Sequence, residues 1–372
     1  MPALDNSGFL QRFKLGGNGP TVAIKDSIDV AGYPTSMGAR AYADAEDASE
    51  HAACVAALVN AGFALVGKAV MYELALGTTG INHWQGTPLN SRYPDFVPGG
   101  SSSGSATLVS AGLVDIGVGT DTGGSVRVPA ACCGIVGLKT TFGAVSRVGV
   151  HPANTSLDCV GFFARDPALI DQCLLACAPT ASPPAAAIRS IGLLALPGDR
   201  DVKAALALFS SAHDCEIVAV TLDHIELAFE AGFTILAAEA WAGAGHLAGK
   251  GLLSQQLEAR IGAAAAITPD QIAEAERERR RFRDAVDALL DQVDVIALPT
   301  LADRPPTLAE GELDTTGVAL TRYVRPFNLT GHPAIAIPLS NADGLPSSLQ
   351  LVGKFGEDRT LCHLARAILD CL

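Results

Sequence analysis

The chain has 372 residues, 49% of them apolar and 17% charged, and no run approaches the ~20 uninterrupted apolar residues of a membrane helix. Its formal net charge of -13 argues against nucleic acid and anionic membranes, which need clustered Lys and Arg to displace counterions. Nine scattered cysteines, Cys132-Cys133 and Cys173-x3-Cys177 among them, have neither disulfide-framework nor zinc spacing, so a reducing setting with no metal or other cofactor is expected.

The opening stretch MPALDNSGFLQRFKLGG lacks the basic patch, apolar core and cleavage site of a secretory signal, and is read as mature protein in the cytoplasm. From residue 21 the pattern alternates: TVAIKDSIDV (21–30) predicts a strand, AACVAALVNAG (52–62) a helix and FALVGKAV (63–70) a strand. Residues 85–105, rich in Gly, Ser and Pro, sit between predicted core elements and are expected to form an ordered functional loop. SATLVSAG (105–112) then reads as a helix feeding the strand LVDIGVGT (113–120). The stretch 178–187, APTASPPAAA, reads as a connector. Beyond it, VKAALALFSSAHD (202–214) is a helix between the strands IRSIGLLAL (188–196) and CEIVAVTL (215–222). A long helix over Gln271–Gln292 carries the basic run Arg277–Arg283, whose alternating acids mark a solvated face. The strands VDVIALPT (293–300), PAIAIPLS (333–340) and SLQLVGK (348–354) and the helix RTLCHLARAILDCL (359–372) close the chain. Such alternation predicts an α/β fold, a mostly parallel or mixed sheet with helices on both faces.

The densest chemistry lies between residues 98 and 139. Thr122-Gly123-Gly124-Ser125 follows a buried strand and precedes a short helix, so successive backbone N–H groups can converge at a turn where glycine imposes no Cβ clash. That suits an oxyanion, with the Ser125 hydroxyl placed to attack the carbonyl carbon; the turn alone fits equally a structural role with Ser125 as a helix cap. A serine nucleophile needs a base. None of the eight histidines lies in a Ser-His-Asp context, although His83 and His332 occupy loop-like stretches. Lys25, flanked by apolar strand residues, is a candidate because burial depresses a lysine pKa. The structural alternative is a salt bridge to Asp26 or Asp29, which strand alternation weakens for Asp26.

Two segments, Gly99-Gly100-Ser101-Ser102-Ser103-Gly104-Ser105 and Gly119-Thr120-Asp121-Thr122-Gly123-Gly124-Ser125-Val126-Arg127-Val128-Pro129-Ala130, together resemble the hallmark of the amidase signature family. Further matches are Gly137-Leu138-Lys139, Ser156-Leu157-Asp158, Pro326 through Pro333, Gly344-Leu345-Pro346 and Leu349 through Gly353. The resemblance implies one α/β domain over 1–372 with a large mixed sheet, and an amidohydrolase that cleaves a C–N bond through a Ser-cisSer-Lys triad. The family spacing of 24 places the relay at Ser101, after a cis Gly100–Ser101 peptide, with Ser125 as nucleophile and Lys25 as base. It also implies an oxyanion hole from the N–H groups of Thr122, Gly123, Gly124 and Ser125. Arg127 could bind a substrate carboxylate or anchor the turn through an ion pair with a residue such as Asp158, while Asp121 braces the turn. Cys132 and Cys133 read as core.

The chain departs from the family in the helical layer that usually precedes the lysine strand, here largely missing, which leaves a homodimer open. Thr140 stands where proline is usual, and Ala144 where arginine is common. The segment 178–270, expected to shape the acyl pocket, is short and rich in alanine. A compact site for small amides follows, as in malonamidase-like members or a general bacterial amidase. The rivals are an accessory amidase subunit of a glutamine-dependent amidotransferase and an α/β-hydrolase-type esterase, whose G-x-S-x-G formally matches Gly100–Gly104.

Overall fold

Hydrophobic alternation in the strands creates two apolar faces, and helices cover both. The computed structural model, which describes residues 7–313, 316–339 and 343–372, is built on one eleven-stranded sheet. Its strands are β1 (Phe9–Gly16), β2 (Thr21–Lys25), β3 (Ala64–Ala69), β4 (Ile116–Asp121), β5 (Val136–Lys139), β6 (Cys159–Ala164), β7 (Ser190–Leu194), β8 (Glu216–Val220), β9 (Val295–Pro299), β10 (Ala334–Leu339) and β11 (Ser347–Val352). They lie in the order β1-β3-β2-β4-β6-β5-β10-β11-β9-β7-β8. Two parallel wings, β3-β2-β4 and β9-β7-β8, flank a centre that is antiparallel from β4 to β9.

The helices are α1 (Ala53–Asn60), α2 (Ser103–Ser110), α3 (Arg127–Cys133), α4 (Pro167–Cys177), α5 (Arg200–Ala212), α6 (Ile225–Ala244), α7 (Gln255–Ala264), α8 (Pro269–Leu290), α9 (Leu308–Gly311), α10 (Thr316–Ala319), α11 (Arg325–Thr330) and α12 (Asp358–Leu369). Val22, Ile24, Val295, Ala297, Ile335 and Ile337 point to one face, where α1, α4, α5 and α12 bury them. Their neighbours Ala23, Ile296, Leu298, Ala334 and Ala336 point to the other, against α2 and α3 or α6, α8 and α11. The two-residue period of the strand thus decides which layer each side chain enters.

The predicted strands and helices from residue 21 onward are present, and the sheet is mixed. Residues 85–102 form an ordered loop in which Asn90 is buried and donates to the carbonyls of Cys132 (2.9 Å) and Val97 (3.4 Å). β1 was not expected from its sequence, because its edge position leaves Gln11, Arg12 and Lys14 alternating with half-buried residues beyond Phe9. The first six residues, and Ser340 at the end of the predicted strand 333–340, lie outside the described residues. Arg277 pairs with Glu274 on the exposed side of α8, and the exposed Arg281 pairs with the buried Glu278. The solvated reading fails for Arg279 and Arg283, which donate to the carbonyls of Leu329 and Thr330 and staple α8 to the end of α11.

Candidate active site

Lys25 ends β2 on the same side as Ala23, facing α2 and α3, and is fully buried. Its Nζ lies 2.7 Å from Ser101 Oγ and 2.8 Å from Thr120 Oγ1. The salt-bridge alternatives are both taken elsewhere. Asp26 pairs with Lys68 at 3.0 Å, with both side chains buried, and Asp29 bonds Thr35 Oγ1 (2.7 Å) and His151 (3.0 Å). A lysine held by hydroxyls alone keeps no strong claim on its proton: burial lowers its pKa from 10.5 to about 7, against the opposing pull of Asp158 and Asp121.

Ser101 is delivered to Lys25 by the Gly/Ser loop, and the Gly100–Ser101 peptide is cis. α2, which follows, lies unusually close to β4 because that strand presents glycine to it. A Cβ on Gly119 would meet Ser102 Oγ at 2.6 Å, and one on Gly117 would meet the Ser105 carbonyl at 2.6 Å. The β4 glycines and the serines of the loop and α2 therefore form a tight seam between helix and sheet. The esterase reading fails at this point. Residues 91–100 form no strand leading into Gly100–Gly104, and Ser102, the formal nucleophile of that motif, is fully buried with its hydroxyl on the Thr120 carbonyl at 3.3 Å.

Asp121, the last residue of β4, organises the next turn. Its carboxylate accepts from the N–H groups of Gly124 (2.7 Å), Val126 (3.1 Å) and Arg127 (3.3 Å). Gly124 has φ +119°, and a Cβ there would fall 2.3 Å from Val324 Cγ2, so only glycine fits. Two expectations are corrected by these bonds. The Gly124 N–H is consumed by Asp121, leaving those of Thr122, Gly123 and Ser125, which have no acceptor among the described residues. Arg127 is fully buried and all five of its donors are engaged: Nε (3.1 Å) and Nη2 (3.0 Å) on Asp121, Nη2 on Asn328 Oδ1 (2.6 Å), and Nη1 on the Val324 carbonyl (2.7 Å) and Gln350 Oε1 (2.7 Å). It cannot take a substrate carboxylate, and its ionic partner is Asp121. Asp158 instead pairs with Arg147 (2.9 Å) and accepts from Thr122 Oγ1 (2.9 Å). Burial alone would raise the Asp121 pKa, but the Arg127 charge and the bonds from Arg127 and Asn328 hold it well below the usual carboxylate range.

Thr122, Gly123 and Ser125 open onto a cavity of about 410 Å³, whose far wall is supplied by Phe233, Leu236 and Ala240 of α6 and Leu257 and Ile261 of α7. Ser125 is 4% exposed, and its hydroxyl makes no hydrogen bond to a described residue. The segment expected to shape an acyl pocket does line this space. A feature absent from the sequence reading also lines it: Arg325, at the start of α11, is buried with Nε and Nη1 lacking any acceptor among the described residues. His332 is not part of this wall. Its ring bonds Thr330 Oγ1 and Asp287 Oδ1, both at 2.9 Å, and burial lowers its pKa to about 4 against the pull of Asp287. His83 sits on the surface against Glu312. Cys132 and Cys133 are core residues of α3 whose thiols burial pushes far up.

The sequence profile described as Amidase matches residues 18–181 and 197–362. A fatty acid amide hydrolase of Medicago truncatula is 33% identical over 96% of this chain and 66% of its own length. The Halobacterium salinarum glutamyl-tRNA(Gln) amidotransferase has a subunit that is 34% identical over 94% of this chain and 95% of its own length. Among solved structures, a Kluyveromyces lactis allophanate hydrolase superposes with a TM-score of 0.86 at 26% identity, over 96% of this chain and 62% of its own. The chain thus spans about two thirds of the plant hydrolase and of the yeast enzyme. Matched by the profile over most of its length, and carrying the Gly/Ser loop and the 119–130 turn in contact with a buried lysine, the chain belongs to the amidase signature family of amide-cleaving hydrolases.

Proposed function

We propose that the chain hydrolyses the C–N bond of a small amide through an acyl-enzyme on Ser125, with Ser101 as proton relay and Lys25 as base. The observation that carries the reading is the 2.7 Å contact between Ser101 Oγ and a buried lysine that has no carboxylate partner among the described residues. Neutral Lys25 takes the Ser101 proton, Ser101 takes that of Ser125, and Ser125 Oγ bonds to the amide carbon as the C=O pair moves onto oxygen. The oxyanion meets the N–H groups of Thr122, Gly123 and Ser125, one such donor being worth about 3 to 4 kcal/mol of barrier. As the C–N bond breaks, the relayed proton goes to the nitrogen and amine leaves. Water repeats the sequence on the ester and releases the carboxylate. The Ser101–Ser125 transfer requires those hydroxyls to close to hydrogen-bond distance once substrate is bound, as catalytic contacts commonly do.

Ammonia release from a panel of primary amides and ureido compounds tests the proposal. Hydrolysis by the wild-type chain that disappears in Ser125→Ala supports it; equal turnover by the variant refutes the assignment of Ser125. The similarity to the Halobacterium amidotransferase component over nearly its whole length favours one second reading, a subunit that liberates ammonia for a partner. Turnover of simple amides by the isolated chain separates the two.

A further inference from the structure

Arg325 is the only residue at the cavity with a charged group that the mechanism leaves unused and unsatisfied among the described residues. It is 5% exposed, and Nε and Nη1 are buried without an acceptor. Its guanidinium lies over Phe229 (4.5 Å) and Phe233 (5.2 Å). Ring faces satisfy the flat side of a guanidinium but leave its in-plane N–H donors empty. The site is built around that shape. A Cβ on Gly232 of α6 would crowd the Arg325 stem at 3.0 Å, and one on Gly123 would stand 3.4 Å from Nε, so the donors end beside the oxyanion turn. Arg260 of α7 lines the same space, and no acidic side chain does among the described residues. Burial and the Arg260 charge lower the Arg325 pKa to about 9, which leaves it cationic at neutral pH and uncompensated. Buried cations in native proteins are otherwise paired.

We propose, resting on the amide-hydrolase reading, that Arg325 receives a carboxylate carried by the substrate, so that the preferred amides are anionic ones. Its position beside Gly123 sets a short spacing, a few carbons, between the carboxylate and the scissile carbonyl. The charge can lie on the acyl side, as in a monoamide of a dicarboxylic acid, or on the amine side, as in an N-acyl amino acid. Both present the same group to the guanidinium.

Two measurements test this. In the Ser125→Ala chain, calorimetric titration with malonate, succinate and glutarate, with propionamide and butyramide as neutral probes, reads the site without turnover. Dicarboxylate binding that weakens about 30-fold or more in Ser125→Ala/Arg325→Met, and less in Ser125→Ala/Arg325→Lys, is expected for a desolvated ion pair. Binding that is absent, or indifferent to Arg325, overturns the proposal. With the active chain, kcat/KM is compared for succinamate against butyramide and for N-acetylglycine against N-methylacetamide. The wild type favours the anion in at least one pair, and Arg325→Met lowers that charged-to-neutral ratio about 30-fold. An equal fall for both members of each pair, as a purely structural arginine would give, overturns it. Should no amide be turned over while dicarboxylates still bind through Arg325, the hydrolase reading fails and the anion site stands.

Discussion

Lys25 and Arg127 are both fully buried basic side chains within the candidate site, yet their surroundings send them to opposite tasks. Lys25 has hydroxyl partners, so burial dominates and its pKa falls to about 7. Activity that depends on neutral Lys25 rises with pH, and kcat/KM is expected to show an ascending limb with an apparent pKa near 7. Lys25→Met is expected to lose at least 10²- to 10⁴-fold in kcat/KM, the usual worth of positioned proton transfer. The same shift has a stability consequence. Between about pH 7 and 10.5 the unfolded chain holds a proton on this lysine and the folded chain does not, so wild-type stability gains with pH across that window. The gap in melting temperature between Lys25→Met and wild type therefore changes in favour of wild type from pH 7 to pH 10, which calorimetry at both ends measures. Arg127, by contrast, compensates the buried Asp121. Arg127→Met is expected to cost about 3–5 kcal/mol in denaturant unfolding by leaving that carboxylate unpaired, whereas a substrate ligand would raise KM and leave stability alone.

These residues also show how far a sequence carries a site. Lys25 and Ser125 stood out as candidates because a lysine inside an apolar strand and a serine in a glycine turn each demand a reason, whereas Ser101 was reached only through the spacing that the family resemblance implies. The assignment of the Gly124 N–H, and the partner named for the ion pair by which Arg127 anchors the turn, went astray for one shared cause. The Asp121 carboxylate accepts from both, and which donors a carboxylate claims depends on the turn geometry, not on spacing. Arg325 escaped notice although the next residue, Pro326, opens a quoted motif. Its signal, an arginine between Val324 and Pro326-Phe327, becomes informative only once its Nε and Nη1 are seen to lack acceptors among the described residues.

At the scale of elements, the site depends on α2 lying against β4. Gly119→Ala places a methyl 2.6 Å from Ser102 Oγ, the residue after Ser101, the proposed relay, and 3.0 Å from the Phe163 ring. Overpacking of this kind costs about 1–3 kcal/mol, and the displacement of α2 is expected to lower kcat more than it raises KM. Denaturation midpoints and amide kinetics on the same variant check both parts. The helices of the far wall, α6 and α7, were not delimited from sequence. The alanine content of 225–264 gives only a weak apolar contrast between faces, so periodicity there carries little information. Strand β1 hid for the complementary reason: an edge strand buries one face partially and reads as polar.

Across the whole molecule, the mixed sheet is what unites the parts. The parallel wing supplies Lys25 from β2 and the 121–127 turn from β4, while the chain crosses the antiparallel centre to return Gln350, Asn328 and Arg325 to the same neighbourhood. Alternating strand and helix segments made the α/β class readable, but pairing order is set by long-range contacts that no local pattern encodes. The central claim is that Ser125 is the nucleophile and that Lys25 activates it through Ser101. The most direct measurement is peptide mapping by mass spectrometry after reaction with a fluorophosphonate, at several pH values. The account predicts one phosphonyl group, on Ser125, added at a rate that climbs through pH 7 and collapses in Lys25→Met. Modification of another residue, or an equal rate in Lys25→Met, contradicts it.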